Sequence, residues 1–406
     1  MKRLIDKITI IDFVFFAMLA LFFLAPDHLI LSMVANTLAA AFCVLVLMDQ
    51  WEGFKIYSFS MIYAVFAFLC FISYFYSIHA SQSMERIISV PLLLLLFCVG
   101  LNYFSKEDNL QKFMLMYVSV ALLSCAYLLV TDDVFSGETV GWAITNTNIM
   151  GTRFAFAVVF MVYFLLQKVQ WWRLLITVIL ITFLLLTASR SSTFIMVVSS
   201  VLLIIVTYRQ KKKSVAVAII VAITLVLLLL YLIFNVEFLY QILGVRLEGV
   251  LSLINTGEGD SSSKKRLALV RYGWQLFQEH PFFGQGINTF ISDTRQSLGF
   301  AAYSHNNYLE LLVGVGLVGT ITYYLLPLTL LWNSFKLMRL EKGTSALGAL
   351  VFAVMIGMFV SDVATVNYYS KTMLLMYMFS GAACIKYTDN DVKLQALPNK
   401  MQRRSL

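Results

Sequence analysis

The chain has 406 residues, 60% of them hydrophobic and 13% charged, with a formal net charge of +8. That balance excludes a soluble globular domain and points to an all-α polytopic membrane protein. The positive excess needs no nucleic-acid partner, because a side bias of Lys and Arg around membrane spans explains it.

About 20 apolar residues cross the hydrocarbon layer as a helix. Such stretches fall near 9–25, 28–48, 56–77, 87–103, 113–130, 150–167, 173–188, 191–208, 214–235, 307–332, 346–363 and 369–386, giving about twelve predicted spans in a single integral membrane domain over 1–406. The opening "MKRLIDKITIIDFVFF" mimics a signal peptide, yet no small-x-small cleavage site follows "LALFFLAPDH". It reads as an uncleaved first helix. With the N-terminus inside and the spans alternating, 20 of the 30 Lys and Arg lie on the inner face. Both termini then face the cytoplasm, and the basic tail 387–406 serves as a topology anchor rather than a nucleic-acid patch. Cys43, Cys70, Cys98, Cys125 and Cys384 all fall inside apolar spans, which argues for core packing and against disulfides or metal sites. The sequence contains no CxxC, GxxxxGK[ST] or HExxH, so nucleotide and zinc chemistry have no support.

The polar residues collect in the predicted outward segments. "TDDVFSGETVGWAITNTNIMGTRFAF", from 131, carries Arg153 just inside the sixth span, as an anion ligand or a helix-end anchor. The turn "LLLTASRSSTFIMV" places Arg190 between two spans, where a charge near the hydrocarbon edge is costly and is usually paired or functional. The predicted outer loop 236–305 is about seventy residues long, and loops of that length are usually functional or disordered. Its "NTGEGDSSSKK" reads as flexible. The following "RLALVRYGWQLFQEHPFFGQGINTF" predicts an amphipathic helix over 264–279, stopped before Pro281. Leu267, Val270, Trp274 and Phe277 form its apolar stripe, with Arg266 and Arg271 on opposite flanks. Such a helix suits the outer interface, where both arginines either bind substrate or only snorkel to lipid phosphates. Finally, "YSHNNYLELLVGVGLVG" at 303–319 sets His305 at a helix mouth, as a cap or a proton acceptor, with Asn306 a suitable N-cap in either case.

"TASRSS" at 187–192, "KKRLALVRYGWQLFQEHPFFGQGINTF" at 264–290 and "SHNNYLELLVGVGLVG" at 304–319 resemble, in that order, the O-antigen ligase and polymerase superfamily; "NTNIMG" at 146–151 is similar to its upstream Asn-rich segment. The resemblance covers roughly 140–325. It implies a membrane glycosyltransferase of the bacterial cytoplasmic membrane with an extracytoplasmic site. The implied donor is a glycan on undecaprenyl pyrophosphate. Polymerases join repeat units; ligases pass the finished chain to a lipid or protein acceptor. Implied partners are the lipid-linked glycan, a glycan or lipid acceptor, membrane lipids, and flippase and chain-length regulator proteins. By position, Arg190 and Arg266 match the pyrophosphate arginines and His305 the base. Arg271 and Arg153 have no such firm match, and Ser189, Asn306 and Asn148 take supporting places. The "KKR" here departs from the small residue and Gly that members often show before the Arg.

The resemblance thus implies metal-independent, cofactor-free inverting transfer, with guanidiniums opposing the leaving-group charge and His305 taking the acceptor proton. An Ile- and Phe-rich composition with more Lys than Arg suits a low-GC bacterium without a lipopolysaccharide core, which favours polymerase over ligase. A transporter or flippase is the rival from another class. Against it, only Pro91 and Pro327 interrupt the predicted spans, with no matched pair of broken segments.

Overall fold

The computed structural model describes residues 8–24, 28–106, 108–132, 139–141, 144–256, 261–340 and 342–395. Among them every regular element is a helix. The bundle runs through α1 (Ile10–Leu24), α2 (Leu29–Gln50), α3 (Ser58–Phe75), α4 (Ala80–Phe104), α5 (Asn109–Thr131) and α6 (Thr147–Gln167). It continues with α7 (Trp171–Leu186), α8 (Arg190–Gln210) and α9 (Val215–Asn235). After α10 (Val245–Thr256), α11 (Ser261–Glu279) and α12 (Phe290–Ser297), it closes with α13 (Asn307–Leu337), α14 (Lys342–Asp362) and α15 (Lys371–Gln395).

Each of the twelve predicted spans coincides with one of these helices. Among the described residues nine of the helices, rather than all twelve, are long and apolar enough to cross a bilayer; α1 and α7 are apolar but shorter, and α15 gathers charged residues toward its end. The basic tail lies outside the described residues from 396 onward, while 387–395 continue α15. Interlocking rings fill the middle of the bundle. Phe379 of α15 lies 5.6 Å from Phe113 and 5.1 Å from Phe160, and Tyr117 packs edge-on to Phe160 at 5.4 Å. Four of the five cysteines are buried and all are free thiols.

Short connections alternate the helix directions, so residues 76–79, 187–189 and 363–370 and the described residues of 236–306 gather at one end, called the site end below. Two hydrogen bonds tie 76–79 to the 236–306 segment: Ile78 N donates to Gln285 O at 3.2 Å, and Tyr76 Oη to Phe283 O at 2.7 Å.

Among its described residues the segment 236–305 is not a loop with one helix but a layer with several. Asn255 and Thr256 of the stretch read as flexible belong to α10, and 261–265 open α11; residues 257–260 lie outside the described residues. The predicted apolar stripe of α11 is also rotated. Leu269, Gly273 and Leu276 are the buried line, packed with Leu309 and Val313 of α13 and Phe290 of α12. Leu267, Val270 and Trp274 are exposed. At ~100° per residue the buried line sits ~110° round the helix from the predicted one. Gly273 decides the rotation, since a Cβ there would come within 2.6 Å of the Leu309 side chain.

The longest helix, α13, is broken at Gly316, where φ is 65° and ψ −168°. Pro91 and Pro327, the only interruptions expected, lie inside α4 and α13. The break would orphan backbone polar groups, which is costly away from water. The turn Pro281–Gly286 fills it. Gln285 N and Gly286 N donate to Val313 O and Gly314 O at 2.9 and 3.0 Å. Leu317 N and Val318 N donate to Pro281 O and Phe282 O at 2.9 and 3.1 Å. Only glycines permit this approach: a Cβ on Gly316 would lie 2.3 Å from Phe282 O, and one on Gly284 would lie 2.6 Å from the Gly314 carbonyl. Nine residues separate Gly316 from the start of α13, so at ~1.5 Å per residue the turn enters the bundle to a depth of ~14 Å.

Candidate active site

At the start of α8, Ser189 is the N-cap and its Oγ accepts from Ser192 N at 3.3 Å. The same hydroxyl donates to Asn148 Oδ1 at 2.9 Å. Asn148 stands in the first turn of α6, where Asn146 Oδ1 caps its backbone N–H at 2.9 Å. Ser189 and Asn148 therefore fasten the α7–α8 turn to α6 and fix the first residue of α8, Arg190. The Arg190 guanidinium reaches over α10 and donates to Arg246 O at 2.7 Å, while Arg246 Nη1 donates back to Ala188 O at 3.4 Å. A second cation, Arg246, thus sits beside Arg190; sequence inspection passed it over because it lies in an unremarkable amphipathic stretch.

Helix rotation separates the two arginines of α11. Arg266 lies ~50° from the buried line and Arg271 nearly opposite it, at ~100° per residue. Arg266 is accordingly half-buried and Arg271 exposed on the outer surface. The Arg266 charge acts on both Tyr303 and His305.

His305 does not cap α13. Asn306 does, its Oδ1 accepting from Leu309 N at 3.0 Å. His305 takes a left-handed backbone with φ 53°, a conformation that His, Asn and Asp tolerate better than most residues. Its flank is fixed by Ser304, whose N–H donates to Glu310 Oε2 at 2.9 Å and whose Oγ donates to Asn306 O at 2.7 Å. The His305 ring lies against Tyr303, with centroids 4.2 Å apart. Its Nδ1 is buried and has no hydrogen-bond partner among the described residues. Burial first, then the charges of Arg266 and Lys265, push the imidazole pKa down to about 4. The ring is neutral at pH 7, with a nitrogen lone pair available to accept a proton.

Tyr303 joins the two clusters. Asn146 Nδ2 donates to its Oη at 3.4 Å, so contacts run from Ser189, next to Arg190, through Asn148 and Asn146 to Tyr303 and His305, where the Arg266 charge is felt. The second Asn of the "HNN" run, Asn307, is structural. Its buried Oδ1 accepts from Asn367 N and Tyr368 N at 2.8 and 2.9 Å and so anchors the α14–α15 turn.

Arg153 stands apart from this set. It is buried, donating from Nη1 to Phe23 O at 2.8 Å and from Nε to Thr372 Oγ1 at 3.3 Å. It lines a cavity of about 400 Å³ that Tyr303 and Lys371 also line. Tyr303, Lys371 and Arg246 were not singled out in the sequence. For Tyr303 the available signal was its position two residues before His305.

Residues 175–324 match the O-antigen ligase family model. This region belongs to the O-antigen ligase/polymerase superfamily. The superfamily region holds Ser189, Arg190, Arg266, Arg271, His305 and Asn306, and leaves Asn148 and Arg153 upstream. Members of that family are membrane, glycosyltransferase-like enzymes of polysaccharide biosynthesis. No curated protein matches the chain.

Proposed function

We propose that the protein is a polysaccharide polymerase, joining glycan repeat units carried on undecaprenyl pyrophosphate at the outer face of the bacterial cytoplasmic membrane. The observation that carries this reading is the unpartnered His305 Nδ1, held neutral beside Arg266 on the contact chain that leads to Arg190. In this reading the twelve apolar helices all span, the layer 236–305 is extracytoplasmic and the basic tail 387–406 is cytoplasmic.

The acceptor hydroxyl attacks the anomeric carbon of the donor as His305 takes its proton. The new glycosidic bond forms, the anomeric carbon–oxygen bond breaks, and undecaprenyl pyrophosphate leaves with the bonding pair. Single displacement inverts the anomeric centre. Arg190 and Arg266 oppose the charge that develops on the leaving group, and paired N–H donors suit phosphate oxygens. The activated donor supplies the driving force, and no metal is invoked.

The O-antigen ligase match favours a second reading, transfer of the finished lipid-linked glycan to a lipid or protein acceptor. The transporter alternative gains little from the break in α13, because the turn Pro281–Gly286 occupies it and leaves no open backbone for an ion. A deletion strain tests the assignment. Single repeats still displayed but polymer lost supports polymerase; lipid-linked polymer retained with surface attachment lost supports ligase.

A further inference from the structure

We infer that the cavity bounded by α1, α6, the α14–α15 turn and the start of α15 is a second anion subsite, in which Arg153 and Lys371 take phosphate oxygens of the acceptor's own lipid-linked head group. The inference rests on the glycosyl transfer proposed above and names where the second substrate sits.

The cavity measures about 400 Å³, within the ~300–1,000 Å³ range of small-molecule sites. Two cations line it, and no carboxylate does among the described residues. Lys371 is positioned by neutral groups. Lys371 Nζ donates to Asn36 Oδ1 at 3.1 Å and lies 4.1 Å above the Phe22 ring. Arg153 lies over the Phe23 ring at 4.8 Å and donates to Phe23 O and to Thr372. The two charges also act on each other. An oxyanion held in the cavity would be attracted by both charges. Ser370 and Asn146 add a hydroxyl and an amide around the same space.

Position ties the cavity to the reaction. One wall is Tyr303, whose ring lies against His305. An acceptor held in the cavity would reach the base past that wall, while the donor pyrophosphate engages Arg190 and Arg266. A polymerase needs two such places, because both of its substrates carry pyrophosphate.

The test uses the purified full-length protein in phosphatidylcholine nanodiscs. Undecaprenyl pyrophosphate is titrated and the bound lipid counted by native mass spectrometry. The expected result is two lipids on the wild type and one on Lys371→Gln. The Arg190→Gln, Arg266→Gln double variant should also keep one, and combining all three changes should leave none. Lys371→Gln, chosen because Arg153 is buried and bonded to backbone, should raise the acceptor KM at least tenfold with little change in kcat. A single lipid on the wild type that survives Lys371→Gln would overturn the second subsite and leave the donor site standing. Displacement of the Lys371-dependent lipid by phosphatidylglycerol at equal concentration would reassign it as a bilayer-phospholipid contact and overturn the acceptor role. Absence of binding by the wild type would overturn the glycosyl-transfer reading and this inference with it.

Discussion

Tyr303 and His305 lie ring against ring, 4.2 Å between centroids, while the neighbouring Asn306 performs the helix capping. With capping assigned elsewhere, the His305 imidazole is left for chemistry. Asn tolerates the left-handed backbone that His305 adopts. His305→Asn should therefore insert and fold normally yet lose ~10²–10⁴ in turnover, since an amide cannot accept the hydroxyl proton. Donor binding should persist in His305→Asn and His305→Gln. Turnover with a lipid-linked donor, alongside direct donor binding, checks this; full activity in either variant removes His305 from the mechanism.

The pH profile follows from the same environment. His305 is pushed down to about 4 by burial, Arg266 and Lys265, against an ordinary value of 6.5. A base works deprotonated, so activity should be present above the folded-state value and lost as pH falls through it. The acid limb of kcat/KM belongs near 4. Between 6.5 and 4 the unfolded chain binds the proton more readily, so stability should also fall as pH drops through that window. Lys265→Gln should move the limb upward by removing a repelling charge. A wild-type limb at 6.5 would contradict the buried, neutral imidazole.

Leaving-group stabilisation predicts that ammonium cannot replace guanidinium. Arg190→Lys and Arg266→Lys should each lower turnover at least ~10-fold, about 1.4 kcal/mol of transition-state stabilisation. Arg271→Lys should be mild, because Arg271 points away from the buried side of α11. Normal turnover in both of the first two variants, at normal expression, would leave the arginines as lipid-facing anchors.

The turn that fills the α13 break makes a structural prediction. Gly316→Ala and Gly284→Ala should each cost ~1–3 kcal/mol from overpacking, beyond the ~1–2 kcal/mol for a left-handed backbone. Gly299→Ala also places a side chain on a positive φ, 75°, but with open space around its Cβ, so it should show the backbone cost alone. Thermal unfolding in detergent followed by tryptophan fluorescence compares the three. Equal shifts would mean that the tight approach contributes nothing.

Orientation is testable at Ser262, exposed in the first turn of α11. Ser262→Cys should react with an impermeant thiol reagent in spheroplasts. Labelling only after lysis would invert the protein in the membrane.

Apolar length made the helices legible in the sequence, because burying backbone in lipid leaves little alternative to helix. The twelve intervals therefore found their helices, although length and composition together qualify only nine as spans. Errors came where packing overrides periodicity. On α11, Gly273 admits Leu309 and turns the helix away from its most apolar side. At Gly316 the sequence offers only one of several glycines, and the break depends on a turn some thirty residues earlier. The candidate site was partly legible because charge in an apolar chain is conspicuous: Arg190, Arg266 and His305 stood out, and all three lie at the same end of the bundle. Tyr303 and Lys371 were not conspicuous, since their significance comes from a cavity assembled by four distant segments.

The pairing of Pro281–Gly286 with Val313–Val318 has a practical consequence for protein engineering. The layer formed by 236–305 and the helix it packs on share one set of backbone hydrogen bonds, so neither can be exchanged alone. A chimaera meant to alter glycan selectivity by grafting 236–305 from another chain would need to bring 313–318 with it, because a mismatched donor would strand amides in the bilayer and place side chains where only hydrogen atoms fit.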